Sequence, residues 1–167
     1  MTAGPTSSAT AFGIAPEEGE ARWFLGELLT VKASAENTGG GLSLFDVRAP
    51  VGPASPLHVH RGEAEWWYVL EGELVVWAAG QVVEAPAGSF VYSPPDTPHT
   101  FSVVSDEARF LLGTNPGGFE AFLRACSEPA GDRTLPPPGT AAPDPGRLAE
   151  LAAEHGIEIL GPPGLPG

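Results

Sequence analysis

The stretch Gly52–Gly72, GPASPLHVHRGEAEWWYVLEG, decides how the rest of the chain is read. His58 and His60 stand two apart, and on a β-strand residues i and i+2 point to the same face, so both imidazoles reach toward one point. Arg61-Gly62-Glu63 reads as a turn and Glu65 opens the next apolar run, so a hairpin returns the Glu65 carboxylate beside the two rings. His99 opens another apolar run after the proline-rich SPPDTP and supplies a third imidazole. Three imidazoles and one carboxylate suit one divalent transition metal: Fe, Mn, Ni, Co, Cu or Zn. Each histidine taken singly fits a hydrogen-bonded core residue. It is the set, at this spacing and with Glu65, that reads as a metal site.

Outward from this stretch, glycine and proline divide the chain into short runs rich in Val, Phe, Trp and Leu. These are Trp23–Lys32, Leu42–Ala49, Glu65–Leu70, Leu74–Ala78, Gln81–Glu84, Ser89–Ser93, His99–Val104 and Ala108–Gly113. Ala79-Gly80 joins two of them at hairpin spacing. No helical pattern of 10–15 residues intervenes between Gly41 and Gly113, which excludes a parallel βαβ sheet and predicts an all-β antiparallel sandwich or barrel. After residue 115 the period changes. Phe119, Phe122, Leu123 and Cys126 repeat at helical spacing, and a second helix is bounded by Asp144 as N-cap, Pro145 at its first position and Gly156 at its end, with Leu148, Leu151 and Ala152 as its apolar stripe. Ile157–Leu160 is strand-like. The expected division is a flexible N-terminal segment (1–19), a β-barrel (20–115) and a C-terminal helical extension with a Pro/Gly-rich tail (116–167).

Composition limits the partners. At 167 residues with 42% hydrophobic side chains, the chain makes one domain with a real core. Its net charge of −13 repels phosphate backbones and anionic lipid, so no nucleic acid and no membrane is expected as a partner. The single cysteine, Cys126, forms no internal disulfide, and the first twenty residues lack the basic and apolar regions of a secretory signal; the expected location is the cytoplasm.

The spacing Gly52-x5-His58-x-His60-x4-Glu65-x6-Gly72 reproduces the first signature of the cupin superfamily. Gly88-x5-Pro94-x-Asp96-x2-His99-x3-Val103 resembles the second, with Asp96 in place of glycine and Val103 in place of asparagine. Asp96 tolerates a left-handed turn, whereas Val103 removes a polar contact behind the ligands. RWFLGELLTVKAS, NPGGFEAFLRA and GIEILGPP extend the resemblance over residues ~20–162 to single-domain cupins of the quercetin 2,3-dioxygenase-like kind. The resemblance implies a double-stranded β-helix (cupin or jelly-roll barrel), with His58, His60, Glu65 and His99 as ligands. It further implies oxygen-dependent cleavage of an enolisable phenolic or flavonol-like small molecule, with Glu65 as catalytic base. A non-redox isomerase, lyase or cyclase, and a small-ligand-binding cupin without turnover, are the alternatives.

Around the ligands, strand alternation puts Trp67 on the face of Glu65 and Phe101 on that of His99, so these two are expected to line a substrate pocket. Glu63 lies in the turn and is expected to face solvent. His155 suits a helix C-terminus, and Cys126 a packing role. The apolar surplus of Trp23–Val31 suggests an edge that pairs with a second copy, hence a homodimer.

Overall fold

The computed structural model describes residues 9–167; residues 1–8 of the segment expected to be flexible lie outside the described residues. The elements are β1 (Glu20–Phe24), β2 (Glu27–Ala33), α1 (Ala35–Thr38), β3 (Ser43–Pro53), β4 (Pro56–His60), β5 (Ala64–Glu71), β6 (Glu73–Ala78), β7 (Gln81–Pro86), β8 (Phe90–Ser93) and β9 (His99–Asn115). They are followed by α2 (Phe119–Cys126), β10 (Glu128–Pro129), α3 (Pro145–Glu154) and β11 (Ile157–Pro163). Every strand pairing is antiparallel. The architecture is the all-β antiparallel barrel that the apolar runs and turns predict, in the jelly-roll form that the resemblance implies.

β9 joins the two faces of the barrel. Its first half, His99–Val103, lies against β6, with His58 of β4 opposite His99. Its second half, from Ala108 on, lies between β3 and β5. The runs His99–Val104 and Ala108–Gly113 are thus one strand of 17 residues, because β3 pairs with both ends across a register shift between Pro50 and Gly52. Conversely, Trp23–Lys32 is two strands. Leu25 (φ 52°) and Gly26 (φ 85°) both take positive φ, as a two-residue hairpin turn compatible with strand twist requires. Ala79-Gly80 turns the same way, with φ of 49° and 84°.

The inward faces of these strands fill the barrel with Phe45, Val47, Trp67, Val69, Leu74, Val76 and Phe110, each fully buried. A second apolar cluster of Phe122, Leu148, Leu151, Ala152 and Ile157 sits where α2 and α3 cover one end. Asp144 caps α3 by accepting from the Arg147 N–H at 2.9 Å, and Leu148, Leu151 and Ala152 are its buried stripe. The C-terminal part is more than an extension. β11 pairs with β4 in the register Ile157 to His60 and Ile159 to His58, so it holds the edge of the strand that carries two histidines.

The apolar surplus of Trp23–Val31 is used inside the chain. Leu28, Leu29 and Val31 are buried, β10 covers the edge of β1, and the Trp23 indole donates to the Thr134 carbonyl at 2.9 Å. The physical ground for pairing a second copy at this edge is therefore removed. Upstream, the Lys32 ammonium donates to the carbonyls of Ala15, Pro16 and Glu18 at 2.8–2.9 Å, which tethers the near end of the N-terminal segment. None of the helices among the described residues is long and apolar enough to cross a membrane.

Gly72, which closes the first motif, shows why that position is glycine. Its φ is +78°, and a Cβ there would stand 2.4 Å from the Glu107 carbonyl oxygen and 2.9 Å from the Ala108 Cα, both backbone atoms. At Gly88 (φ +91°) a Cβ would meet nothing within 4 Å. Gly88→Ala should therefore cost only the backbone term of ~1–3 kcal/mol. Gly72→Ala adds overpacking of a further ~1–3 kcal/mol. Urea denaturation of the two variants should show the lower midpoint for Gly72→Ala.

Candidate metal centre

Three strands deliver the ligand candidates. β4 runs extended through Pro56–His60, so His58 and His60 both point inward, with Val59 between them on the other face. After the turn at Arg61–Glu63, Glu65 is the second residue of β5, paired with Thr114 of β9 on one side and Ser93 of β8 on the other. His99 begins β9 directly opposite His58. The Asp96 backbone has φ 60°, the left-handed conformation expected there, and its carboxylate accepts from the Gly62 N–H at 3.2 Å, tying the two motif loops together. Val103 is buried in the core opposite Gly52 and Leu74, an apolar packing residue rather than a polar support.

The four side chains converge. One ligand atom from each of His58, His60, Glu65 and His99 lies within 4.8 Å of the others, and all four residues are buried. The Glu65 Oε2 is 2.8 Å from His99 Nε2, 2.9 Å from His60 Nε2 and 3.6 Å from His58 Nε2, and the Nε2 atoms of His58 and His60 are 3.1 Å apart. The opposite ring nitrogens all have acceptors. The Nδ1 of His58 meets the Pro56 carbonyl, that of His60 the Glu63 Oε1, and that of His99 the Thr97 carbonyl, each at 2.8 Å. An imidazole that donates from Nδ1 presents a lone pair at Nε2. Three Nε2 atoms and a carboxylate converge at hydrogen-bond distance in a buried space, where they share protons or, deprotonated, direct their lone pairs at one cation. The donor set therefore fits a mononuclear divalent ion, with imidazole nitrogen and one carboxylate oxygen as ligands.

The ionisation of the cluster follows the same logic. Burial alone would raise the Glu65 carboxyl, yet His99, His60 and the hydrogen bond from His58 hold it well below the ordinary carboxylate range. Burial lowers His58. At His60 burial also acts downward, but the charges and hydrogen bonds of Glu65 and Glu63 outweigh it and raise the ring to about 9. Glu63 thus corrects the reading from sequence. It does not face solvent; its side chain is 17% exposed and folds back onto His60 Nδ1. The turn at Arg61–Glu63 returns the chain so tightly that its last side chain reaches the ring three residues back.

Next to the four ligand candidates lies a small pocket, about 60 Å³, whose polar lining is Glu27, Ser55, His58 and Glu65. Its walls are apolar: Phe24, Leu25 and Leu29 from the first hairpin, Phe101 and Leu112 from β9, and Phe119, Phe122, Leu148, Ala152, Ile157 and Ile159 from the C-terminal part. Phe101 stands in this wall. Trp67 is fully buried behind His99, edge-on to it at 5.6 Å between ring centres, and does not border the pocket. Glu27 is the lining residue that sequence reading passed over; its signal is an acid one position after a hairpin glycine in a run otherwise apolar. His155 ends α3, with Nδ1 on the Leu151 carbonyl at 2.8 Å. The Cys126 thiol bonds the Phe122 carbonyl, and burial raises it to about 12, which makes it a packing group and not a nucleophile.

A cupin domain model matches residues 45–112, the span that holds both motifs and all four ligand candidates. That span of the chain is a cupin domain. Quercetin 2,3-dioxygenase of Bacillus subtilis is 29% identical over 103 residues, 62% of this chain but 31% of that protein. An uncharacterised protein of Methanocaldococcus jannaschii is 37% identical over 57 residues, 34% of this chain and 46% of its own length. This cupin therefore aligns with less than half the length of either relative. Among solved structures, a predicted oxalate decarboxylase from Thermotoga maritima superposes with a TM-score of 0.57 at 21% identity, covering 64% of this chain and 99% of that one. The nucleoside dehydratase Pac13 of Streptomyces gives 0.56 at 18% identity, covering 76% and 95%. Both likenesses concern the fold.

His60→Ala should bind well under one equivalent of metal, since it removes a central ligand. Glu63→Gln should keep the stoichiometry but bind zinc 10–100-fold more weakly, the usual loss when the carboxylate orienting a ligating histidine is removed. Competition with a chromophoric chelator measures both.

Proposed function

We propose that this cupin is a mononuclear metal enzyme that binds the enol or phenol oxygen of a small molecule and cleaves a carbon–carbon bond of it with dioxygen. The observation that carries the proposal is the buried three-histidine, one-glutamate cluster opening onto an apolar pocket. The Bacillus quercetin 2,3-dioxygenase, 29% identical over 103 residues, supports the oxygen-dependent reading. His58, His60, Glu65 and His99 would hold the ion, which would supply Lewis acidity toward a substrate oxygen. Glu65 accepts the substrate's hydroxyl proton, because the histidine Nε2 atoms face the ion and their Nδ1 atoms are already donated to Pro56, Glu63 and Thr97. The aromatic and aliphatic walls keep water from the electron-rich substrate once it is seated.

Size narrows the substrate. The pocket of about 60 Å³ falls far below the ~300–1,000 Å³ of clefts that take drug-sized ligands. A three-ring flavonol enters only if the Leu25 turn, α2 or α3 swings outward, so a one-ring phenol or a small enol is the better fit. Pocket size and a second carboxyl in the lining, Glu27, favour a second reading in which the same site moves protons without oxygen, as an isomerase, lyase or cyclase. The substrate is held as a small molecule in either case. A cytoplasmic location and a homodimer complete the proposal. With Trp23–Val31 used internally, the dimer contact falls instead to the exposed Tyr68, Phe90 and Tyr92 of β5 and β8.

Oxygen uptake by metal-loaded protein over a panel of small phenols and enols separates the two readings: consumption with one of them is expected, and turnover that proceeds equally under argon would replace the dioxygenase with the proton-transfer enzyme. On the substrate so found, metal-saturated Glu65→Gln should lose on the order of 10²–10⁴ in rate. Recovery of full rate on metal saturation would leave Glu65 a ligand only.

A further inference from the structure

Glu27 is the one residue of the pocket whose presence packing does not explain. It opens β2 on the inward face, in line with Leu29 and Val31, and it is 5% exposed. Its Oε1 has no hydrogen-bond partner among the described residues. Around it the lining from β1, β9, α2, α3 and β11 carries no charge; only His58 and Glu65 are titratable, with the Ser55 hydroxyl as the remaining polar side chain. A leucine at this position would extend the apolar stripe and strand no polar atom. Burying a carboxyl without a partner is costly, and such a cost is typical of groups held ready for a ligand.

We propose that Glu27 is a substrate-recognising residue that hydrogen-bonds a second oxygen of the ligand, so that this pocket selects small molecules bearing two oxygens on an apolar skeleton. One oxygen goes to the four-ligand centre and the other to Glu27. The inference rests on the reading of that centre as a metal site. Burial, and after it the charge of Glu65, push the Glu27 carboxyl well above the ordinary carboxylate range. That direction favours the neutral acid, which has an O–H to give as well as an oxygen to receive. A neutral acid fits a phenol, enol or carbonyl oxygen; a second anion so close to Glu65 would repel one.

The test uses full-length protein loaded with zinc, a redox-silent ion, and two probes: phenol, with one oxygen, and resorcinol, whose two oxygens are too far apart to chelate one ion. Titration calorimetry should give wild-type protein a roughly three- to tenfold preference for resorcinol, the effect of one net hydrogen bond. Glu27→Leu should lose that preference while binding zinc as wild type does. Glu27→Gln, which still donates and accepts, should keep most of it and guards against a Leu variant that fails to fold. Because Oε1 is buried without a partner among the described residues, Glu27→Leu should also raise the thermal midpoint, whereas a purely structural Glu27 would lower it. Equal binding of the two probes to wild type, a preference that survives Glu27→Leu, or zinc-loaded wild type that binds neither probe would each overturn the role of Glu27 and leave the metal centre standing. Failure of wild type to bind zinc at all would instead remove the reading on which the inference rests.

Discussion

Three imidazole lone pairs and a carboxylate, buried within 4.8 Å of one another, set the terms for the rest of this molecule. Burial removes the water that would otherwise solvate them, so they are satisfied by shared protons or by one cation. Each ring is held in place by an acceptor for its Nδ1–H: two backbone carbonyls, at Pro56 and Thr97, and the carboxylate of Glu63. Those acceptors lie within three residues of their histidines, so the ring orientation is fixed by local chain geometry. Long-range packing need only bring the three strands together. β9 does this by passing from one face of the barrel to the other, opposite His58 at its start and opposite Glu65 near its end.

The pocket shows how the periphery serves the centre. Its far wall comes from α2, α3 and β11, which the sequence presents as an extension beyond the barrel. β11 also pairs along β4, so the same segment covers the ligand strand's edge and roofs the space above the ligands. The first hairpin closes the opposite side through Phe24, Leu25 and Glu27. The result is an apolar chamber with few polar groups, each aimed inward, which is the usual construction of a small-molecule site. Strong net negative charge outside and an acid-lined interior both disfavour anionic ligands and suit a neutral one that loses its proton only after binding.

Much of the fold was legible because its periods are local. Two-residue alternation puts His58 and His60 on one face, the turn at Arg61–Glu63 returns Glu65 beside them, glycine-rich turns separate the strands, and Asp144-Pro145 marks a helix start. The errors share a different cause. A run of apolar residues does not reveal where it folds back, so Trp23–Lys32 reads as one strand although Leu25 and Gly26 both take positive φ. Nor does a gap in apolar character reveal a strand that crosses between faces, so the sequence of β9 reads as two runs. Glu63 and Glu27 escaped because their roles are set by three-dimensional neighbours: a tight turn that folds one acid onto His60, and a hairpin that puts the other beside residues from the far end of the chain. Trp67 shows the converse limit. Alternation gave its inward direction correctly, but depth is a property of the barrel, and this indole lies behind His99.

X-ray absorption spectroscopy of the zinc-loaded protein tests the central claim most directly. One tightly held ion per chain is expected, with three imidazole nitrogens and a carboxylate oxygen at about 2.0–2.2 Å and the outer-ring scattering that marks histidine. An ion that dialyses away, or a bound ion whose first shell holds fewer than two imidazoles, would contradict it.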